Sequence, residues 1–510
     1  MSNWMLRLGL MSFLVAAWAL LQQPGTTASL ASDTLDPDER FVLESSERVG
    51  KLSFEVLEDK TGIHLPSRLF FAHADGRQEM PTVGRFANIL VTSSGQEIKT
   101  IPVGDYDVYI TRGTEYSLDQ HRIRISEGET TYLDSTLSRA IDTTGFISAD
   151  FHLHLQFAMR DGAMVSAAEG LDLLTATDHN VLKDYSSYIA ELNLGRFMTS
   201  VVGNEVDTEF GHFNSFPMSV NPWEDRTFRR SIRTPGEMLR LLRQNPGDEI
   251  VQINHPRLGS HKDGYFNGRI DPGSLKIEYP FFEASFDQLE VFNAITEGAF
   301  SKAGYFGRTP EADKNLRDWF SLLNRGIFMT GVANTDAHQY PKELPGYPRN
   351  YVLSETDRPW EIDPYRVVHA LKEGASTASF GPFIRLSAND GAPVGSTIKA
   401  NDRSVILHAS VQAAPWIPVD KVEVIANGRV LTSYPTKDAS AAVRFEQDIV
   451  VNPGRDTWYL LIATSERKWA PPFSNFRSFS FTNPIFVDTN GNGYFDPPNL
   501  KALPGLNSEQ

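Results

Sequence analysis

The sequence predicts an α/β protein in which a barrel of seven βα repeats lies between two β-sandwiches. Apolar runs of strand length alternate with helical patterns between 145 and 382, as repeated βα units require. Shorter runs that alternate apolar and polar residues fill 40–140 and 385–486, which is typical of sandwich strands. Most of the central runs end in histidine or carboxylate, and a βα barrel carries its chemistry at the carboxyl ends of its strands.

A chain of 510 residues is too long for one domain. The pattern divides it into a signal segment, an amino-terminal β-sandwich, the barrel, a carboxyl-terminal β-sandwich and a tail: 1–31, 40–140, 145–382, 385–486 and 487–510.

The first 31 residues resemble a secretory signal, so we expect a periplasmic or secreted protein with no membrane span after its removal. Arg7 supplies a positive start, and Leu8–Leu21 forms a short apolar core followed by small residues. An uncleaved membrane anchor is the alternative, although the apolar core is short for a span. The chain has no cysteine, which excludes disulfides and thiolate metal ligands.

The net charge of −16 argues against nucleic acid as a partner. No basic stripe interrupts this acidic composition, and arginine and lysine are not interleaved with aromatic residues. We therefore expect a small-molecule substrate. The oligomeric state is not predictable from the sequence.

The first two central runs show how strands lead into candidate metal ligands. Phe146–Phe151 leads into His152 and His154, and residues i and i+2 of a strand point to the same face. A short helix is predicted over Val165–Gly170. The next run, Leu171–Ala176, leads into Thr177-Asp178-His179.

Five further runs complete the seven predicted strands: Phe197–Val202, Phe213–Met218, Glu249–Ile253, Gln288–Phe292 and Ile327–Val332. Capping residues and apolar spacing predict three more helices: Pro235–Gln244 after Thr234, Glu311–Asn324, and Pro364–Glu373 between Asp363 and Gly374.

Histidines are concentrated in this central region: seven of the twelve in the chain lie between 152 and 338. With neighbouring carboxylates they give nine candidate metal ligands: His152, His154, Asp161, His179, Glu205, His212, His255, Asp336 and His338. Nitrogen and oxygen ligands suit Zn, Mn or Fe, and nine are too many for one ion. Two or three divalent ions are expected, and clustered ions favour hydrolysis, above all of phosphoesters.

The order of these motifs resembles the PHP (polymerase and histidinol phosphatase) superfamily. The flanks TDHN, NHPR and NTDAH, with β-domains on both sides, look most like the CehA/McbA-type metallohydrolases, named for a carbaryl hydrolase. The resemblance implies a distorted seven-stranded barrel with up to three metal ions. It also implies that two sites share His152, His154, Asp161, Glu205 and Asp336, while the other four histidines complete the coordination. Ala158 stands where the family often has serine, which bears on substrate rather than metal.

Four residues near the ligand motifs are candidates for catalysis or substrate binding. Arg257 can clamp an anionic substrate, with a surface salt bridge as the alternative, and Arg349 is a similar candidate. His261 is a candidate general acid, or else a solvated loop residue. Asp178 is expected to orient His179 or a neighbouring ligand.

Near the carboxyl terminus, the segment from Asp488 to Asp496 resembles the first part of an EF-hand calcium loop. Asp488, Asn490, Asn492 and Asp496 occupy positions 1, 3, 5 and 9, with Gly493 at position 6. Position 12 is Asn499 rather than glutamate, so a plain Asn-Gly turn is the alternative.

Together these patterns predict an exported hydrolase that uses a metal-activated hydroxide on a small phosphoester. The closest-looking subfamily keeps carboxylic or carbamate esters open as substrates. A non-catalytic binding module that uses the barrel as a scaffold is the alternative from another class.

Overall fold

A computed structural model describes residues 40–42, 48–77, 79–84, 86–155, 158–220, 232, 234–243, 248–260, 262–267, 270–271, 276–277, 283–294, 310–340, 343–400, 404–436 and 441–499. The signal segment at 1–31 lies outside these ranges, as does the tail from 500. No helix in the described ranges is both long enough and apolar enough to cross a membrane.

In the described part of the amino-terminal region, seven strands form two sheets that share one core. The strands are β1 Val49–Glu58, β2 Ser67–His73, β3 Ile89–Thr92, β4 Gln96–Pro102, β5 Gly104–Thr111, β6 Asp119–Ile125 and β7 Thr130–Leu137. The sheet orders are β4-β1-β7 and β3-β2-β5-β6. In β1, Leu52, Phe54 and Val56 are buried at every second position, and they join a core with Leu69 and Val108 from the other sheet.

The central region alternates strands with helices over part of its length. Its strands are β8 Phe146–Leu153, β9 Leu173–Ala176, β10 Thr199–Val202, β11 Asn204–Thr208, β12 Gly211–Phe216, β13 Ile250–Ile253, β14 Ile270–Asp271, β15 Lys276–Ile277, β16 Gln288–Asn293, β17 Thr330–Asn334, β18 Arg349–Leu353 and β19 Ser376–Phe380. Its helices are α1 Met159–Ala168, α2 Ser186–Glu191, α3 Pro235–Leu242, α4 Pro310–Leu323 and α5 Pro364–Lys372, with a 3-10 turn at Pro359–Glu361.

Two of the predicted helices have identifiable caps. The Thr234 side chain accepts a hydrogen bond from the Glu237 N–H at the start of α3, and Asp363 accepts one from the Tyr365 N–H at the start of α5. Gly374 follows α5 with a φ of +75°, a left-handed conformation that ends a helix without a Cβ clash.

The carboxyl-terminal strands are β20 Phe383–Ala388, β21 Ala392–Pro393, β22 Thr397–Lys399, β23 Val405–Gln412, β24 Lys421–Ala426, β25 Arg429–Pro435, β26 Val443–Val451, β27 Thr457–Thr464, β28 Phe479–Thr482 and β29 Ile485–Asp488. One sheet runs from the central region into this one, in the order β10-β9-β8-β18-β19-β28-β27-β24-β25. This sheet therefore contains strands from both sides of the boundary predicted near 382. The predicted domain limits stay predictions.

The described strands make a mixed, strand-rich α/β structure and do not show the predicted distorted barrel of seven βα repeats. The second central sheet has the order β11-β12-β13-β16-β17, and β11 and β12 are antiparallel. Only Glu209 and Phe210 separate these two strands, whereas a parallel pair needs a crossover of a dozen or more residues. A β-hairpin therefore occupies the position at which the sequence predicts a βα repeat.

The two central sheets meet at the carboxyl ends of their parallel strands. Leu153 forms a parallel bridge with Ala337, and His179 forms one with Glu205. Because His255 after β13 also lies 3.4 Å from Glu205, the residues that follow β8, β9, β13 and β17 are brought to one place.

Candidate metal centre

Four buried side chains form the inner part of a metal-ligand cluster. His152 lies at the end of β8, His154 follows it, Glu205 lies in β11, and Asp336 follows β17. One ligand atom from each lies within 4.8 Å of the others. Nε2 of His154 is 3.0 Å from Oδ1 of Asp336 and 3.2 Å from Oε2 of Glu205. Two imidazoles and two carboxylates at this spacing can hold one divalent ion.

Two further groups share members with the inner one and are more exposed. His154, His179 and His338 form one, and His179, Glu205, Asp207 and His212 form the other. The side chains of His179 and His338 are 31% and 40% exposed, whereas that of His152 is fully buried. The cluster therefore opens to solvent on the side of His179 and His338.

Several buried atoms in the cluster have no hydrogen-bond partner, which fits a bound cation. They include Nε2 of His152, both ring nitrogens of His154 and Oε2 of Glu205. Buried polar atoms are almost always hydrogen-bonded, so converging atoms without such bonds are explained most simply as metal ligands.

The charges of the cluster shift the pKa values of its members strongly. Burial lowers the pKa of His152, but Asp336, Glu205 and Glu290 outweigh burial and leave it well above the usual value. Burial raises the pKa of Glu205, but His152 and His154 outweigh it and leave the pKa well below normal. Burial and the neighbouring charge of His154 lower the pKa of His338 to about 4. Imidazoles and carboxylates thus neutralise one another where divalent cations would bind.

Two residues of the cluster have left-handed backbone conformations. His255 has a φ of +25° and Asp336 a φ of +58°, which non-glycine residues rarely adopt. The Asp336 N–H donates to the carbonyl of His152, which connects the two strand ends. Strained residues of this kind cluster at functional sites.

The structure brings seven of the nine predicted metal ligands together in the three groups: His152, His154, His179, Glu205, His212, Asp336 and His338. His255 lies at the edge, with Nε2 at 3.4 Å from Oε1 of Glu205. Asp161 is in the first turn of α1 and belongs to none of the three groups. Its role as a ligand stays a prediction.

Sequence reasoning missed two carboxylates at the cluster. Asp207 accepts a hydrogen bond from Nδ1 of His179 at 2.8 Å, and Glu290 lies 3.0 Å from Nδ1 of His152. Asp207 is two residues after Glu205, so the strand periodicity that links His152 to His154 also places these two carboxylates on one face. Glu290 lies inside β16, between Leu289 and Val291, so no strand-end signal marks it in the sequence.

The Tyr185 hydroxyl donates to Oδ2 of Asp178, and Asp207 lies beside Nδ1 of His179. The Asp178 side chain is fully buried in the loop after β9. A role for Asp178 in orienting His179 or a neighbouring ligand stays a prediction.

The two arginines predicted to bind substrate are engaged elsewhere. Nε of Arg257 donates to Asp318 at 2.6 Å and its Nη1 to the Phe266 carbonyl, with the arginine side chain only 10% exposed. Arg349 is 1% exposed and donates to the carbonyls of Gly346 and Glu169, so a substrate in solution cannot reach it. The structure does not support either arginine as a substrate clamp. The predicted general acid, His261, lies outside the described residues.

The candidate calcium residues lie at the end of β29 and in the loop that follows it. Asp488 accepts hydrogen bonds from the N–H groups of Gly491 and Gly493, both at 2.7 Å. Oδ2 of Asp496 is 2.8 Å from the Asn490 amide and 3.0 Å from the Asn492 amide. Calcium binding by this loop stays a prediction.

The described chain is thus a strand-rich α/β protein with a histidine and carboxylate cluster able to hold metal ions. No family model matches the chain, and comparison with curated proteins finds no match. Among solved structures, it is similar to a two-domain protein from Bacteroides vulgatus containing a predicted PHP-like metal-dependent phosphoesterase. That match has 15% identity, a TM-score of 0.33, and covers 63% of this chain and 92% of the other.

A second match is GBS52, the minor pilin of Streptococcus agalactiae, at 17% identity and a TM-score of 0.17. It covers 19% of this chain and 46% of the pilin, less than half the length of that protein. A third is the β-glucuronidase of Parabacteroides merdae, at 10% identity and a TM-score of 0.20, covering 87% of this chain and 64% of the other. TM-scores this low do not support any inference about the activity of this chain.

Proposed function

We propose that this chain is a metal-dependent hydrolase of PHP type that acts on a small phosphoester. The observation that carries the proposal is the inner group, in which His152, His154, Glu205 and Asp336 present ligand atoms within 4.8 Å of one another. All four side chains are at most 8% exposed, and buried charged groups at this spacing are best explained by coordination.

The candidate ligands would bind different ions according to how deeply they are buried. The inner four would hold one ion, and His179, His212, His338 and Asp207 would hold one or two more at the exposed side of the cluster. When bound, such ions polarise an ester oxygen and lower the pKa of a coordinated water. Because the exposed side carries His179 and His338, the substrate would enter there.

The phosphoester is favoured over other esters by the metal chemistry and by the order of the motifs, which resembles the PHP superfamily. Carboxylic and carbamate esters are the alternative because TDHN, NHPR and NTDAH look most like the carbaryl-hydrolase branch. Export to the periplasm or beyond is part of the proposal and rests on the pattern of residues 1–31 alone. Sequencing the amino terminus of protein recovered from the culture medium or periplasm tests it.

The substrate test compares two compounds that release the same leaving group, one from a phosphoester bond and one from a carbamate bond. Protein reconstituted with Mn or Zn is given naphthyl phosphate or naphthyl methylcarbamate, and naphthol release is measured. We expect release from the phosphate and loss of that release in the His152→Ala, His154→Ala double variant. The matched control removes two exposed histidines, His369 and His408, whose side chains are 74% and 38% exposed.

Release from the carbamate alone would replace the phosphoester with the alternative substrate class. No release from either compound by protein that binds metal would favour a non-catalytic binding module.

A further inference from the structure

Glu290 is a buried carboxylate in β16 that connects three other strands around the metal-ligand cluster. Its Oε1 lies 3.0 Å from Nδ1 of His152 and accepts a hydrogen bond from the Asn334 amide at 3.0 Å. Its Oε2 accepts from the His255 N–H at 2.7 Å and from the Asn293 amide at 2.9 Å. Glu290 is fully buried, so these contacts take the place of water.

The contact with His152 fixes which ring nitrogen faces the cluster. A carboxylate only accepts hydrogen bonds, so Nδ1 of His152 must carry the proton that it shares with Glu290. Nε2 is then the free ligand atom, and it points at Glu205 and Asp336 at 3.3 Å and 3.2 Å. A histidine that ligates metal commonly has its other nitrogen held in this way by a carboxylate.

The contact with His255 holds a strained backbone in place. His255 has a φ of +25°, and its N–H is bound by Oε2 of Glu290. Asn334 in β17 donates from its side-chain amide to Oε1 of Glu290. The side-chain oxygen Oδ1 of Asn334 accepts a hydrogen bond from the Phe151 N–H in β8. One side chain thus fixes the ends of β8, β13 and β17 relative to each other.

Glu290 is placed to support ligands rather than to act as one. Both of its oxygens are engaged by protein donors, and it belongs to none of the three groups of converging ligand atoms. We infer that Glu290 is a positioning residue that orients His152 and His255 toward the metal ions of the centre. This inference rests on the proposed function, because it requires that the cluster binds metal.

The test measures metal binding by Glu290→Gln. Titration of metal-free protein with Co²⁺, followed by visible absorption, gives both affinity and the geometry of the ligands. We expect the tightest site to bind Co²⁺ about 10- to 100-fold more weakly, with an altered spectrum, because losing an outer carboxylate commonly costs that much. Asp172→Asn is the matched control: it changes a carboxylate just before β9, at the amino end of that strand and away from the cluster.

The midpoint of urea unfolding of the metal-free variants separates positioning from a general effect on stability. If Glu290→Gln does not fold, Glu290→Asp is measured instead, and its shorter side chain is expected to weaken binding as well. A folded variant that binds Co²⁺ with the affinity and spectrum of the wild type would overturn the inference. Wild-type protein that binds no Co²⁺ would instead overturn the proposed function.

Discussion

His179 illustrates how single residues determine the chemistry of this cluster. Its Nδ1 lies 2.8 Å from Oδ1 of Asp207, and the other oxygen of Asp207 accepts from the Asn180 amide at 2.9 Å. The Asp207 N–H in turn donates to the Asn180 side chain. Asp207 is therefore held in place before it meets either a histidine or an ion.

Replacing Asp207 with asparagine should weaken the exposed part of the centre and spare the inner part. The carboxylate is both a candidate ligand and the partner of His179, so its loss removes negative charge where His179 and His212 converge. We expect fewer metal ions per chain by elemental analysis after dialysis, with the tightest ion retained.

The control for Asp207 is Glu209→Gln in the same hairpin, where the carboxylate is 60% exposed and pairs with Lys262. An equal loss of metal in both variants, or none in Asp207→Asn, would contradict a role for Asp207 at the centre.

The positions of the ligand residues are largely predictable because strand ends are visible in the sequence. Where an apolar run stops at His152 or His255, the sequence shows that a candidate metal-ligating residue lies at the end of a strand. The partners of each side chain are not predictable, since they depend on the sheet order. Arg257 follows a ligand motif, yet Asp318, which engages it, is 61 residues away in sequence.

At the scale of elements, the apolar runs predict the strands well and their connections less well. All seven predicted central strands overlap strands of the structure. The sequence does not predict a strand over Asn204–Thr208, because the polar residues there look like a ligand loop. It becomes β11 by pairing with β12 in a hairpin, which turns Glu205 and Asp207 toward the cluster.

A prediction at the scale of elements concerns calcium binding by the loop after β29. If the loop binds calcium, millimolar Ca²⁺ should raise the thermal unfolding midpoint of the wild type, because a ligand that binds only the folded state stabilises it. Asp496→Asn should reduce that increase, since it removes one of the two carboxylates in the motif.

Differential scanning fluorimetry with Ca²⁺ and with Mg²⁺ measures the effect, and Asp390→Asn in another exposed turn is the control. The same increase with both ions, or in Asp496→Asn, would indicate a turn that does not bind calcium.

At the scale of the whole molecule, buried charges join the amino-terminal sheets to the central region. Nη2 of Arg68 in β2 lies 2.7 Å from Oε1 of Glu169 after α1, and both side chains are fully buried. Arg112 donates to the carbonyls of Pro66 and Ala167, one on each side of the same junction. The sequence cannot reveal this junction because its partners are distant along the chain.

Arg68→Met should destabilise the protein because it leaves Glu169 buried without its nearest cation. Breaking a buried pair costs about 3–5 kcal/mol. Burial already raises the pKa of Glu169 despite Arg68 and Arg349, so lower pH should reduce the loss by letting the carboxyl bind a proton. The urea unfolding midpoint at pH 5 and pH 8 measures this.

Adding Glu169→Gln to Arg68→Met should recover part of the loss, because the uncompensated charge is gone. The control is Arg124→Met, whose pair with Asp105 is exposed, with the arginine side chain 75% accessible. Equal effects of Arg68→Met and Arg124→Met would contradict the proposed importance of the buried junction.

The measurement that most directly tests the metal centre is the metal content of purified protein. Wild-type protein exposed to Mn or Zn and dialysed should retain at least one ion per chain by elemental analysis. The His152→Ala, His154→Ala double variant should retain markedly less, while the His369→Ala, His408→Ala control should match the wild type. Unchanged metal content in the first variant would contradict the assignment of the centre.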